Sequence, residues 1–115
     1  MKHYQIIDAY TKLEQLSTIN DFHTEEHKKL FMLRKQLRPH VEFHNERIAA
    51  LGEKYKPVAD ENGVLRGEEY KKYMEEINEL NNSEVEEKFE KITLPVVEGI
   101  TFLMLEELED FIDFV

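Results

Sequence analysis

The chain reads as mainly α with a minor β part: one long helix, kinked at Pro39, packed with three shorter helices and a short β-hairpin or extended segments. Three observations predict this. Leu30, Leu33, Leu37, Val41, His44, Ile48, Leu51 and Tyr55 recur in steps of three and four, the spacing of one narrow apolar stripe along a helix. Further stretches, centred on residues 4–16, 68–80 and 102–114, repeat helical spacing. Finally, 41% of the residues are hydrophobic and 35% charged, with a mean hydropathy of −0.60. That balance is too rich in Leu, Ile, Val and Phe for a disordered chain. At 115 residues, positions 1–115 are expected to form a single helical domain.

Each element has its own cause. Ile6, Ile7, Tyr10, Leu13 and Leu16 give the first helix an apolar face over Tyr4–Leu16. Ser17 to Asp21 then breaks it, because short polar side chains bond to local backbone. The long helix starts between Asn20 and Thr24, with Asn20, Asp21 or Thr24 as cap, and runs to Tyr55. Pro39 lies inside it, removing a backbone bond and crowding the preceding turn. The stripe keeps its phase across Pro39, which favours a kink near residues 35–38 over a break.

Asn62-Gly63 tolerates the positive φ of a tight turn, so Val58-Ala59 and Val64-Leu65 read as a short hairpin, with a plain loop as the alternative. Tyr70, Tyr73, Ile77 and Leu80 mark the third helix, over Glu68–Leu80. Ile92 to Val97 reads as extended, with β-branched residues and a proline. Thr101 is placed as the cap of a fourth helix spanning Phe102–Phe114. The first, second and fourth helices are expected to form the core, and the third to pair with the C-terminal half of the second. Leu30, Leu37, Val41, Ile48, Leu51, Leu105, Leu108 and Ile112 are expected to be buried.

The formal net charge is −10. Ten acids between Glu84 and Val115 face only Lys88 and Lys91, whereas Lys28, Lys29, Arg34, Lys35 and Arg38 cluster on the long helix. Such a chain is repelled by a nucleic-acid backbone and suited to a basic protein surface. Cysteine is absent, which removes thiolate chemistry and suits a reducing compartment. The first residues lack the apolar stretch of a signal peptide, and no apolar run is long enough to span a membrane.

The search for chemistry is mostly negative. His23-Thr24-Glu25-Glu26-His27 matches an inverted zincin pattern, so His23, Glu26 and His27 are the candidate metal ligands. His40 and His44 repeat the spacing, but the two pairs lie about 260° apart in helical phase. A third ligand is not identifiable, so no metal site and no cofactor is assigned. Ser17 and Ser83 sit in turns, the glycines build no phosphate loop, and the carboxylates occur as surface pairs. No catalytic residue, cofactor-binding residue or small-molecule substrate is therefore expected.

The order of features resembles a family of small proteins of unknown function encoded by tailed phages and prophages of Gram-positive bacteria. The resemblance rests on Leu13-Glu14-Gln15-Leu16, on Glu46-Arg47 and Glu53-Lys54-Tyr55, and on Asp60-Glu61-Asn62-Gly63. It continues through Glu79 to Glu86 and the ending Ile100 to Ile112. The five histidines and Pro39 depart from it. It implies a phage context and a cytoplasmic site of action in the bacterial host cell, or association with the virion, and transfers no active site.

The expected function is a non-catalytic protein-interaction module, such as an assembly factor, a chaperone-like protein or a minor virion component. Its partner is another protein or a second copy, met through Leu37, Val41, His44, Ile48, Phe111 and Phe114. The alternatives are an acidic inhibitor of a host defence nuclease and a metal-dependent hydrolase.

Overall fold

Helix α2, Thr24–Tyr55, is the axis of the molecule. Its 32 residues span about 48 Å at 1.5 Å per residue, which accounts for the longest dimension, 51 Å, of a body 29 Å and 21 Å across. A computed structural model describes all residues from Met1 to Val115. Helix α1 (His3–Leu16) lies antiparallel along the N-terminal half of α2, and α3 (Gly67–Asn82) lies antiparallel along the C-terminal half. The end of α3 therefore meets the start of α1 near the middle of α2. There the His3 N–H donates to the Ser83 carbonyl at 2.9 Å, the Val85 N–H donates to Met1 at 2.7 Å, and Lys2 bridges to Glu84.

Pro39 sits inside α2 without breaking it. The ring faces solvent, and the stripe is anchored on both sides: Leu30, Leu33 and Leu37 are buried, as are Leu51 and Tyr55. That packing offsets the lost backbone bond, whose cost is about 3 kcal/mol. Two details of the N-terminus differ from expectation. The capping position is His23, and its side chain makes no capping bond. Glu25 and Glu26 in the first turn supply the favourable charge instead.

The Asn62-Gly63 region forms no hairpin. A 3-10 turn, Lys56–Val58, leads into a loop that Asp60 closes on itself. The Asp60 carboxylate accepts from the Asn62 and Val64 N–H groups at 2.9 Å each, and Gly63 takes φ +75° while Asn62 does not adopt positive φ. A side chain that satisfies the turn internally leaves no ladder for two flanking strands.

The C-terminal third departs furthest from the sequence reading. The fourth helix stops early: α4 covers only Phe102–Glu107, and Ile112–Phe114 is a strand, β2. It pairs in parallel with β1, Ile92–Leu94, with Ile92 opposite Ile112 and Leu94 opposite Phe114. Parallel strands need a crossover, and α4 supplies it. Thr101 caps α4 as expected, accepting from the Met104 N–H at 3.2 Å. Ile112-Asp113-Phe114 alternates buried, exposed and half-buried, a two-residue period that the greasiness of the segment conceals.

The core lies at the N-terminal half of α2. Ile6, Ala9, Leu13 and Leu16 of α1 meet Leu30, Leu33 and Leu37 of α2, and Leu94, Met104, Leu108, Phe111 and Ile112 cover them. Val41, Ile48 and Leu105 are only half-buried, against the expectation that they would be enclosed. The cause for Val41 and Ile48 is that α3, which buries none of its own residues, is the main element packed along that half of α2. No helix is long and apolar enough to cross a membrane.

Candidate functional site

The stripe proposed as an interaction surface is used inside the molecule. Leu37 is fully buried and Phe111 is 1% exposed, so neither presents a surface to a partner. Val41, His44 and Ile48 are half-buried, with His44 Nε2 bonded to Asn81 Oδ1 at 2.8 Å. Phe114 packs half-buried against the core.

His23, Glu26 and His27 do not gather a third ligand. His23 is exposed, and the His27 ring stands edge-on to Phe22 at 6.1 Å. No group of three His, Asp or Glu side chains is arranged to hold a metal ion.

The second histidine pair does meet a third imidazole. His3, 3% exposed, stacks on His44 at 5.5 Å between ring centres and stands edge-on to His40 at 6.2 Å. Its Nε2–H donates to the His40 carbonyl at 2.7 Å. His40 in turn bonds through Nε2 to the Glu87 carboxylate. These rings join α1, α2, α3 and the segment after α3. Sequence reading missed His3, which carries no motif; the His40–His44 spacing was the one available hint.

The strongest surface feature is an acidic groove. Pairing of Met1–His3 with Ser83–Val85 draws the Glu84–Phe89 segment along the start of α1, opposite α4. Two adjoining clefts, of about 830 and 190 Å³, share Gln5 and Asp110. The first is walled by Glu84, Glu86, Glu87 and Asp110 over Val85 and Phe89. The second is walled by Asp8, Glu106, Glu107 and Asp110 beside Tyr4 and Phe111. Lys88 is the one cationic side chain among the lining residues, and the amino-terminal ammonium pairs with Glu84 at 3.0 Å.

A concave wall of one sign focuses its field outward and attracts cations. The lining is carboxylate-rich and contains no His, Ser or Thr. Three basic residues of α2 are engaged elsewhere: Lys28 with Glu25, Lys29 with the Thr93 carbonyl, and Arg34 over the Tyr10 ring.

A second concavity, of about 370 Å³, lies at the far end of the α2–α3 arm between Gly52, Tyr55, Leu65, Tyr70 and Tyr73. The Tyr55 hydroxyl donates to Glu76 at 2.7 Å, and Lys54 donates to the other oxygen of the same carboxylate at 2.7 Å. The bond to Glu76 pushes the Tyr55 hydroxyl up to about 12, and the bonds from Lys54 and Tyr55 hold the Glu76 carboxyl below its ordinary range.

No protein-family model, characterised protein or solved structure matches the chain.

Proposed function

We propose that the chain is a non-catalytic protein-interaction module that takes a basic segment of another protein into the acidic groove. What carries this reading is the convergence of Asp8, Glu84, Glu86, Glu87, Glu106, Glu107 and Asp110 on one concave face, against Lys88 and the amino-terminal ammonium. The exposed Tyr4 ring and the half-buried Phe89 ring add apolar contact to the charge. A second copy of a chain carrying −10 is a poor occupant of this face. The role we propose is that of an assembly factor, a chaperone-like protein or a minor virion component, in the phage context that the resemblance implies. The place of action proposed with it is the host cytoplasm or the virion.

The same face supports a second reading, an acidic inhibitor of a host nuclease, in which the carboxylates stand in for phosphates. Calorimetric titration with a Lys/Arg-rich peptide tests the common element. The expected result is binding that weakens as salt is raised, and that weakens by about tenfold or more on combined reversal of Glu106, Glu107 and Asp110 to lysine. Affinity unchanged by the reversal removes the groove reading. Duplex DNA competing for a shared nuclease partner selects the inhibitor.

A further inference from the structure

The β1–β2 sheet has one covered edge and one open edge. Toward each other, the strands are fully engaged: Ile92 N–H donates to Phe111, Val115 N–H donates to Leu94, and Val96 N–H donates to Val115, each at 3.0 Å. In a parallel pair the residues facing the partner strand alternate, so 111, 113 and 115 serve β1 while 112 and 114 face away. The Ile112 N–H closes back on the Leu108 carbonyl at 2.8 Å. The Ile112 carbonyl is unpaired but belongs to a residue only 3% exposed, so the outward groups that a further strand can reach are the Phe114 N–H and carbonyl, which have no partner in the protein. On the other side, α2 packs on β1 and Lys29 donates to the Thr93 carbonyl at 3.2 Å. Only β1 packs broadly on β2.

An unpaired strand edge is a template for another strand. Its surroundings name the occupant. Glu109, Asp110 and Asp113 are exposed on and just before β2, Asp113 in a solvent-exposed ion pair with Lys91 at 3.2 Å that a partner's basic residue would join or replace, and Val96 and Val115 are 58% and 77% exposed beside it. Antiparallel pairing of β2 with β2 of a second copy would set acids of a −10 chain against each other, and like charges opposite one another destabilise a sheet. We propose that the free edge of β2 receives an extended segment of a partner protein as a third strand, with basic residues alternating with apolar ones. The apolar residues would lie along Ile112 and Phe114, and the basic ones beside Asp113. This proposal rests on the reading of the chain as a module for basic partners and adds the mode of docking.

The test compares two peptides of equal charge, one alternating Lys with Val and one alternating Lys with Gly. They are titrated into the full chain and into a chemically synthesised full chain with an N-methyl group on the Phe114 nitrogen. The methyl group removes the outward donor and leaves the bonds to β1 in place. Asp113→Lys is the second variant, tested with the Lys–Val peptide and its Glu–Val counterpart. The expected result is about tenfold tighter binding of Lys–Val than Lys–Gly, an advantage lost on N-methylation. Exchange of the Phe114 amide should slow on binding, and Asp113→Lys should shift preference toward Glu–Val.

Equal binding of Lys–Val and Lys–Gly, indifferent to the methyl group, overturns the edge proposal and leaves the groove standing. Absence of binding by either peptide overturns both. A dimer in light scattering that dissociates on N-methylation overturns the proposal in favour of a second copy.

Discussion

The His3 imidazole donates to the main-chain carbonyl of His40 at 2.7 Å, so the first turn of α1 is pinned to the middle of α2 one residue beyond its internal proline. This contact sits where α3 ends and α1 begins, and it closes the row those two helices make along α2.

His3→Ala therefore removes a buried ring and leaves the junction open. It should destabilise the fold by about 2–4 kcal/mol, from the cavity and the lost hydrogen bond together. His3→Leu keeps most of the volume and should cost roughly half as much. Urea unfolding followed by circular dichroism measures both; equal stability of the two variants and the parent would mean that the ring fills nothing.

The Tyr55–Glu76 contact gives the arm a defined pH response at each end of the scale. Tyr55 is held protonated in the folded state, so its stabilisation is complete below pH 10 and is lost as pH rises through about 12. Glu76 is held ionised, so its contribution is complete above the ordinary carboxylate value of 4.5 and is lost as pH falls through the lowered folded value. Thermal melts of the parent and Tyr55→Phe across pH should differ in the alkaline limb. Much of the acid limb should persist in the variant, because Lys54 is the larger cause of the Glu76 shift.

Pro39→Ala restores an N–H that can reach the Lys35 carbonyl at a solvent-facing position of α2. It should stabilise the protein by about 1–3 kcal/mol, read as a higher melting temperature. Loss of stability would show that the proline shapes a bend on which the packing of α1 depends.

Gly52→Ala places a methyl group in a helical position where nothing lies within 4 Å. A gain of about 0.5–1 kcal/mol is expected, from reduced backbone freedom in the unfolded chain. Denaturant midpoints measure it.

The two halves of α2 should differ in local stability. Leu108→Ala, in the core, should cost about 2–5 kcal/mol, and Ile77→Ala, on the arm, about 1 kcal/mol. Hydrogen exchange should run faster over residues 67–80 than over 6–16. Comparable protection of both would mean that the arm is not a separate weak unit.

The sequence made the long helix legible, because its stripe is regular and long enough to outweigh one proline and one glycine. The first and third helices followed from the same periodicity, and Thr101 from cap chemistry. The strand Ile112–Phe114 was hidden because three apolar-rich residues after a helical run fit either period, and only a partner eighteen or more residues earlier, Ile92–Leu94, decides the matter. The turn at Asn62-Gly63 was legible, but between its two readings the loop holds and the hairpin does not, because the Asp60 carboxylate takes the Asn62 and Val64 N–H groups. All the acids of the groove except Asp8 were visible as the charge run from Glu84 onward. That Asp8 and the first turn of α1 form its other wall depends on Lys2 pairing with Glu84, a contact between distant segments that no local pattern encodes.

The pairing of Met1–His3 with Ser83–Val85 also bears on how the protein is made. Within this sequence α1 is made well before its anchor at Ser83–Val85, which emerges only after α2 and α3 are complete. At about 5–20 residues per second, Ile6, Leu13 and Leu16 remain unsealed for several seconds of synthesis. During that interval a nascent chain has an apolar helix to shelter, and early docking on α2 alone is the available refuge.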